Sequence, residues 1–169
     1  ELPGGTPRLR EIAKPGEKLV FITSDIPRPC PSEIIIPELL RELHQAGVED
    51  HRITVVFALG SHRFHTAGEQ RQLVGSDVYD RVTCVDAAKE GFVHVGFTSS
   101  GTPVDIDPIV GAADRRICVG NIEFHYFAGY SGGAKAIMPG VSTRDAIQKN
   151  HSKMVLDEAR AGNLHKNPL

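Results

Sequence analysis

Short apolar runs alternate with helical patterns along the first part of this chain. Residues 18–23 (KLVFIT) and 52–60 (RITVVFALG) are near-continuous apolar runs, which are typical of strands buried on both faces of a sheet. Between them, residues 32–47 (SEIIIPELLRELHQAG) repeat apolar positions at helical spacing and end in glycine, so we predict a helix there. A strand, a helix and a second strand in this order form the unit from which parallel sheets are built.

The later part of the chain continues the alternation. Thr66 and Glu69 form a capping box, which predicts a short helix ending at Gly75. An alternating pattern around a Ser-Ser-Gly turn predicts a hairpin over residues 92–107. We predict three further elements, namely a strand at 81–86, a buried strand at 115–120 and a helix over 142–162 with a break near Asn150. The pattern predicts an α/β fold, with a mainly parallel sheet flanked by helices and a hairpin insertion near 92–107.

The length and the distribution of proline and glycine indicate one domain behind a linker. Residues 1–17 are rich in Pro and Gly and are predicted to be a linker segment. Residues 18–169 are enough for a single hydrophobic core. Because the chain opens at Glu1 without Met, we expect a trimmed piece of a longer protein.

Composition and charge exclude several classes of partner. The net charge is −2, from 19 basic and 21 acidic residues, so there is no electrostatic argument for binding nucleic acid or an anionic membrane. No apolar stretch is long enough to span a bilayer, and no signal peptide is visible. The three widely spaced cysteines fit a reducing compartment and no disulfide framework, so we expect a cytoplasmic protein: Cys30, Cys84 and Cys118.

Three unusual loops follow three of the predicted strands. They read SDIPRP after 18–23, GSHR after 52–60 and NIEFHYFAGYSGGAK after 115–120. In open α/β sheets, ligands bind at the carboxyl ends of the strands. If the three strands are parallel, five chemically capable side chains converge on one edge of the sheet: Asp25, Arg28, His62, His125 and Lys135.

The glycine-rich loop matches neither of the common nucleotide-binding motifs. Gly132 and Gly133 would let backbone amides approach a phosphate closely. A P-loop, however, needs glycine before its lysine and Ser or Thr after it, and Lys135 lies between Ala134 and Ala136. No GxGxxG follows a strand either. Two interpretations stay open, a surface turn with a solvated lysine and a buried lysine whose neutral amine does chemistry.

Histidine and arginine side chains suggest further chemistry. His62 and His125 could act as acid and base near neutral pH, although a single histidine is more often a surface or core residue. His151 could bind a metal, but no residues near it have the spacing of an all-protein metal site. Arg28, in a loop stiffened by prolines, suits a carboxylate or phosphate if it is not simply exposed. The other histidines are predicted to be structural or exposed, with His65 the least certain: His44, His51, His65, His94 and His165.

Four segments together resemble a known family. SDIPRPCP, GSHR, FHYFAGYSGGAKAIMPG and a downstream Asn-His are similar in order and spacing to the nickel-pincer lactate racemase family, and the resemblance runs from Lys18 to Pro168. Members of this family are longer and have a second domain. The resemblance therefore implies that residues 18–169 are the N-terminal catalytic, cofactor-binding domain of a two-domain protein, with the C-terminal domain absent. The isolated domain is then expected to be inactive.

The resemblance also implies a role for each matching residue. It implies that Lys135 carries a nickel-pincer nucleotide (a nickel-bearing pyridinium mononucleotide) through a thioamide, and that His151 binds the nickel. His62 and His125 become the paired catalytic histidines. The remaining residues implied to hold the cofactor or substrate are Asp25, Ile26, Pro27, Arg28, Gly132 and Gly133. The implied partners are a small 2-hydroxy acid, the missing C-terminal domain and the proteins that build the cofactor.

The activity implied is racemisation or epimerisation of a 2-hydroxy acid, lactate or a related compound. One histidine removes the hydroxyl proton, the C2 hydride moves to the cofactor, and its return to the other face gives the opposite enantiomer. Cys30 departs from the small hydroxyl residue expected at its position, which would weaken a hydrogen bond near the cofactor or change substrate preference. Two alternatives remain, a non-catalytic nucleotide- or phosphate-binding domain and a phosphate-ester enzyme that uses the glycines as an anion site.

Overall fold

The computed structural model of the chain describes residues 4–28 and 30–169. Residues 1–3 of the predicted linker and Pro29 of the proline-rich loop lie outside the described residues. Three 3-10 turns occur among these residues, at Asp50–Arg52, Gly133–Ala136 and Ser152–Val155. The helices and strands follow in chain order: α1 Leu9–Ile12, β1 Leu19–Ser24, α2 Ser32–Gln45, β2 Ile53–Ala58, α3 Ala67–Val74, α4 Ser76–Arg81, β3 Thr83–Asp86, β4 Val93–Phe97, β5 Pro103–Ile106, α5 Pro108–Ala112, β6 Arg115–Val119, β7 Phe124–His125, β8 Gly129–Tyr130 and α6 Arg144–His151.

Four parallel strands form the central sheet in the order β3-β2-β1-β6. Thr23 at the end of β1 is level with Phe57 of β2 and with Val119 of β6, so the carboxyl ends of these strands meet at one edge. The chain moves outward from β1 through β2 to β3 and then returns to the other side of β1. This reversal creates a crevice at the carboxyl edge, where ligands bind in such sheets. The predicted α/β fold is confirmed, and β4 and β5 form the predicted antiparallel hairpin.

Alternate residues of β1 face two separate hydrophobic layers. Leu19 and Phe21 pack with the apolar side of α2, in a cluster that includes Ile36, Leu40 and Leu43. Val20 and Ile22 face the opposite layer, where Val110 of α5 lies. All four strand side chains are at most 2% exposed, because the run KLVFIT supplies apolar groups to both faces of a central strand.

The predicted strand at 115–120 is found as β6, but the prediction that this strand is buried is wrong. β6 is one of the two edge strands of the four-stranded sheet among the described residues, and Cys118 is exposed. The side chain of Arg116 donates hydrogen bonds to the carbonyl oxygens of Val110 and Gly111 at the end of α5, at 2.7 Å each. More exposed and less exposed positions alternate along β6, as in a half-exposed strand.

The predicted helix over residues 142–162 is also too long. Thr143 caps α6 by accepting a hydrogen bond from the backbone N–H of Ala146 at 3.2 Å, and the helix ends at His151. The Ser152 hydroxyl donates to the Lys149 carbonyl at 2.8 Å, and a 3-10 turn follows. In this turn and just after it the large apolar side chains are exposed, for example Val155 at 79%, so no buried stripe stabilises a further α-helical turn.

Smaller differences concern the first residues and the segment before β3. The predicted linker contains α1, whose Arg10 pairs with Glu42 of α2 at 3.2 Å. A further short helix, α4, follows Gly75 where no element was predicted. All three cysteines lie among the described residues and are free thiols. Among the helices that the described residues form, none has the length and apolar character needed to cross a membrane.

Candidate functional site

A cleft of about 460 Å³ opens at the carboxyl edge of the sheet. Its volume falls in the range typical of small-molecule sites. The loops after β1, β2 and β6 and the end of α6 all contribute to its wall. Eight of the residues singled out from the sequence line this cleft: Asp25, Arg28, His62, His125, Gly132, Gly133, Lys135 and His151.

Only two of the four side chains in the turn at residues 25–28 line the cleft. The backbone N–H of Arg28 donates to the carbonyl of Asp25 at 3.0 Å, which closes a tight turn. Asp25 and Arg28 line the cleft, whereas Ile26 and Pro27 do not. Ile26 is 43% exposed and lies in a shallow depression beside α3. Ile26 and Pro27 therefore shape the turn from outside the cleft.

Asp25 and His62 form a hydrogen-bonded pair that joins the first two loops. Asp25 is 1% exposed, and its Oδ2 lies 2.5 Å from His62 Nδ1. A carboxylate can only accept, so we assign the proton to Nδ1 of His62, which leaves Nε2 free to accept a proton. The other oxygen, Asp25 Oδ1, is buried with no hydrogen-bond partner among the described residues. A buried acceptor of this kind calls for a donor from a ligand or from water.

His125 presents the same nitrogen, Nε2, in the opposite protonation state. Its Nδ1 accepts a hydrogen bond from the backbone N–H of Ala128 at 3.2 Å, so in the neutral ring the proton sits on Nε2. Burial, followed by the positive fields of Lys135, Arg28 and His151, lowers the pKa of His125 to about 4. His125 is therefore a neutral donor at physiological pH in the ligand-free cleft. His62 and His125 are thus chemically distinct in this state.

Lys135 is held in the cleft by the glycine-rich loop. Its backbone N–H donates to the carbonyl of Gly132 at 3.1 Å, within the 3-10 turn Gly133–Ala136. Burial lowers the pKa of Lys135 to about 8, with a further contribution from Arg28 and opposition from Glu123. A lysine with this pKa has a substantial neutral, nucleophilic fraction near neutral pH. Of the two interpretations left open by the sequence, the half-buried amine is the one found.

Close packing and backbone conformation account for the glycines. Gly132 has a φ of +90°, and a Cβ there would lie 2.8 Å from the Ile122 side chain. Gly133 has a φ of +51°, which also favours glycine. At Gly140 a Cβ would collide with the carbonyl of Ala136 and lie 2.8 Å from the Cβ of Ala58 in β2. Gly132 and Gly140 are therefore packed closely against neighbouring segments, whereas Gly133 is exposed and needs glycine for its φ alone.

His151 lies at the end of α6 and completes the far wall. Burial and the nearby Lys135 lower the pKa of His151, which favours the neutral imidazole that binds metals. The Phe127 ring packs edge-on against both His125 and His151, with centroids 4.5 and 5.2 Å apart. Within residues 4–28 and 30–169, no three His, Cys, Asp or Glu side chains are grouped so as to hold a metal. A metal here would need donors from a cofactor beside His151.

Some side chains near the cleft had no signal in the sequence analysis. Tyr126 lines the cleft and stacks on His125, with centroids 5.0 Å apart and planes 13° apart. Lys89 follows β3, the remaining strand of the four-stranded sheet, and its Nζ donates to the backbone of the loop that carries His62. The residues that follow the predicted strand at 81–86 lie at the same edge of the sheet, and this position is the signal that could have identified Lys89. Cys30, expected near the cofactor, instead packs against the core layer beside α2 and is not among the cleft-lining residues.

His65, predicted to be structural or exposed, is a buried structural residue. Its Nδ1 and its backbone N–H lie 2.7 and 2.6 Å from the two carboxylate oxygens of Asp86. Its Nε2 faces the backbone N–H of Ile26 at 3.4 Å. His65 therefore connects the end of β3 with the turn that carries Asp25 and Arg28.

Comparisons with known proteins agree on one family. The family model described as the lactate racemase N-terminal domain matches residues 1–162. A curated lactate racemase from Lactiplantibacillus plantarum is 37% identical over 172 residues, which cover 99% of this chain and 40% of that protein. A second, from Thermoanaerobacterium thermosaccharolyticum, is 34% identical over 174 residues and is covered to 41%. The chain thus spans about two fifths of the length of these relatives.

Solved structures show the same likeness in three dimensions. The lactate racemase apoprotein from Thermoanaerobacterium thermosaccharolyticum superposes with a TM-score of 0.87 at 35% identity, covering 98% of this chain and 41% of that one. A crystal structure of a Thermotoga maritima protein superposes with a TM-score of 0.77 at 20% identity, covering 95% of this chain and 43% of that one. At that identity the second match supports the fold alone.

Proposed function

This chain belongs to the lactate racemase N-terminal domain family, and we propose that it forms the catalytic, cofactor-binding part of a 2-hydroxy-acid racemase or epimerase. One observation carries the proposal. Two histidines, a half-buried lysine and a third histidine line a single cleft at the carboxyl edge of the sheet: His62, His125, Lys135 and His151. Lactate is the first substrate to test, because both curated relatives are lactate racemases.

The cleft fits a nickel-pincer nucleotide attached to Lys135. Lys135 supplies an amine whose pKa is lowered to about 8, and His151 supplies one imidazole donor where the described residues supply no metal cluster. Buried Asp25 Oδ1, which lacks a partner, can accept a hydrogen bond from a ligand. When bound, such a group supplies a carbon that accepts the C2 hydride of the substrate and returns it.

The protein's own residues supply binding and proton transfer. Arg28 lines the cleft and can pair with the carboxylate of a 2-hydroxy acid. His62, with Nδ1 on Asp25, can accept the hydroxyl proton at Nε2. Return of hydride to the other face of the planar 2-oxo acid needs a proton from the second histidine, His125. Racemisation in both directions requires two such groups on opposite sides of the substrate.

The charge state of His125 must change when substrate binds. In the ligand-free cleft the pKa of His125 is about 4, because burial and three nearby cationic or imidazole groups oppose a further positive charge. A proton donor for the new hydroxyl must carry a proton that it can release, which a neutral imidazole does not do readily. Covalent attachment would remove the charge of Lys135, and a bound carboxylate or phosphate would neutralise Arg28, so the pKa of His125 would rise again.

The proposal is tested on the full-length protein produced together with cofactor-building proteins. We expect bound nickel, a mass increment on Lys135 and interconversion of the lactate enantiomers or those of a related 2-hydroxy acid. Lys135→Ala should lose the increment and the turnover, while Lys14→Ala, at the exposed opposite edge, should keep both.

The His62→Ala variant separates an enzyme from a binding domain. A racemase that uses His62 should lose activity and keep both the metal and the mass increment. A cofactor-loaded wild-type protein that racemises no 2-hydroxy acid would contradict the proposed function and favour a non-catalytic nucleotide-binding domain.

A further inference from the structure

Lys89 contacts the loop that carries His62 at two points. Its Nζ donates to the carbonyl oxygen of Gly60 at 3.0 Å and to that of His62 at 2.9 Å. Lys89 follows β3 and therefore lies at the same carboxyl edge as the cleft, although it does not line it. Its ammonium also lies 5.7 Å from the centre of the Phe64 ring. Three residues of one short loop are thus grouped around a single ammonium.

The loop between these contacts has few other restraints from the sheet. Gly60 has a φ of +54°, and its N–H donates to the carbonyl of Gly140 at 2.8 Å, which ties it to the glycine-rich segment. The N–H of His62 donates to the carbonyl of Leu59 at 2.9 Å. Beyond these backbone bonds, the His62 imidazole is fixed by Asp25, and it is 47% exposed. The position of the imidazole therefore depends on its bond to Asp25 and on the backbone of residues 60–62, which Lys89 contacts.

The charges around Lys89 favour this contact. Desolvation by the surrounding loop lowers the pKa of Lys89, and the carboxylates of Asp86 and Asp25 act in the opposite direction. Asp25 is the partner of His62, so the carboxylate that holds the His62 imidazole also favours the charged form of Lys89. An ammonium that donates to two carbonyls makes stronger hydrogen bonds than a neutral donor would.

We propose that Lys89 is a positioning residue for His62. It holds the carbonyls of Gly60 and His62 so that the imidazole keeps Nδ1 on Asp25 and leaves Nε2 free to accept the substrate proton. Because Lys89 does not line the cleft, its proposed effect is exerted through His62. This inference rests on the proposed function for its kinetic consequence, but its structural consequence can be measured without turnover.

The kinetic test uses the cofactor-loaded full-length protein and a matched control. Lys89→Met keeps the aliphatic chain and removes the donors, and we expect kcat to fall about 100-fold, as for a modest misplacement of a catalytic group, with KM little changed. Lys89→Arg can donate to both carbonyls and should restore most of kcat. Lys14→Met, an exposed lysine before β1 at the opposite edge, should behave as wild type. If Lys89→Met lowers the melting temperature strongly, Lys89→Gln, whose side chain is shorter and uncharged, takes its place.

The structural test follows the His62 imidazole by nitrogen-15 NMR, with its signals assigned by their loss in His62→Ala. We expect a single tautomer protonated at Nδ1 in wild type, and a mixture of tautomers in Lys89→Met. Unchanged kcat and an unchanged tautomer in Lys89→Met, with His62→Ala inactive, would overturn the role of Lys89. If His62→Ala itself remains active, the catalytic role proposed for His62 fails instead, and the NMR result alone decides whether Lys89 orients His62.

Discussion

The protonation and hydrogen bonding of each side chain in the cleft depend on its position in the fold as well as on its residue type. His62 hydrogen-bonds to a buried carboxylate through Nδ1, whereas His125 accepts a backbone hydrogen bond through Nδ1. Both histidines therefore present Nε2 to a ligand, but that nitrogen is an acceptor in His62 and a donor in neutral His125. Lys135 differs in the same way from the surface lysines, because it is half-buried beside Arg28. At this scale, burial and neighbouring positive groups lower the pKa of His125, Lys135 and His151 in the cleft.

The lowered pKa of Lys135 predicts selective labelling of its amine. With a pKa of about 8, roughly half of the Lys135 amines are neutral at pH 8. An ordinary lysine with a pKa of about 10.4 has less than ~1% neutral amine at that pH. Trace acetylation of cofactor-free full-length protein between pH 6 and 10, read by peptide mass spectrometry, should give a midpoint near 8 for Lys135.

Two variants complete the labelling test. Arg28→Gln removes a neighbouring positive charge and should raise the labelling midpoint of Lys135, because the ammonium form is then less disfavoured. Lys14, exposed before β1, serves as the internal reference. If Lys135 titrated together with Lys14, the amine would not be perturbed, and the argument for its nucleophilic role would lose its basis.

Elements meet at the cleft through close backbone approaches. The glycine-rich segment reaches the end of β2, where the Gly60 N–H donates to the Gly140 carbonyl at 2.8 Å. Gly140 has no room for a side chain against Ala136 and Ala58. The close approach of this segment, which includes Lys135, to the sheet thus depends on the lack of a side chain at Gly140.

We predict that Gly140→Ala destabilises the protein. The added Cβ would force the 3-10 turn away from β2, and overpacking of this kind costs about 1–3 kcal/mol. Gly4→Ala, where a Cβ would have no neighbour within 4 Å, should leave the free energy of unfolding nearly unchanged. Urea unfolding of both variants followed by circular dichroism measures the difference, and equal stabilities would show that the segment can shift without cost.

The pattern of apolar positions predicted the sheet and the convergence of its loops, because buried parallel strands leave long apolar runs. It failed for β6, whose edge position follows from the strand order and not from the local sequence. It also extended α6 too far, since nothing local shows that Val155 is left exposed. The Asp25–His62 bond and the reach of Lys89 join residues 37 and 27 positions apart. Contacts of that kind arise from the folded arrangement and have no motif of their own.

At the scale of the whole molecule, the cleft lies open on one side, at the carboxyl edge of the sheet. Apolar and aromatic side chains around the glycine-rich loop are mostly exposed: Ile122 at 77%, Phe124 at 73% and Tyr126 at 78%. Exposed apolar groups grouped beside a cleft are typical of surfaces that bind other protein or ligand. The relatives are more than twice as long as this chain, which supplies about 40% of their length. The cleft wall described here is therefore expected to be only part of a complete site in the full-length protein.

We predict that residues 1–169 alone, even when loaded with cofactor, do not racemise 2-hydroxy acids at a useful rate. An open cleft leaves water around the reacting groups and provides no opposing wall to orient the substrate, and both orientation and water exclusion account for much of an enzyme's rate. Chiral chromatography of lactate incubated with the isolated chain and with the full-length protein, matched for nickel content, measures the difference. Hydrogen exchange at residues 122–131 should be slower in the full-length protein, because the exposed aromatic loop becomes covered. Equal turnover by the two proteins would show that this one wall orients the substrate without help.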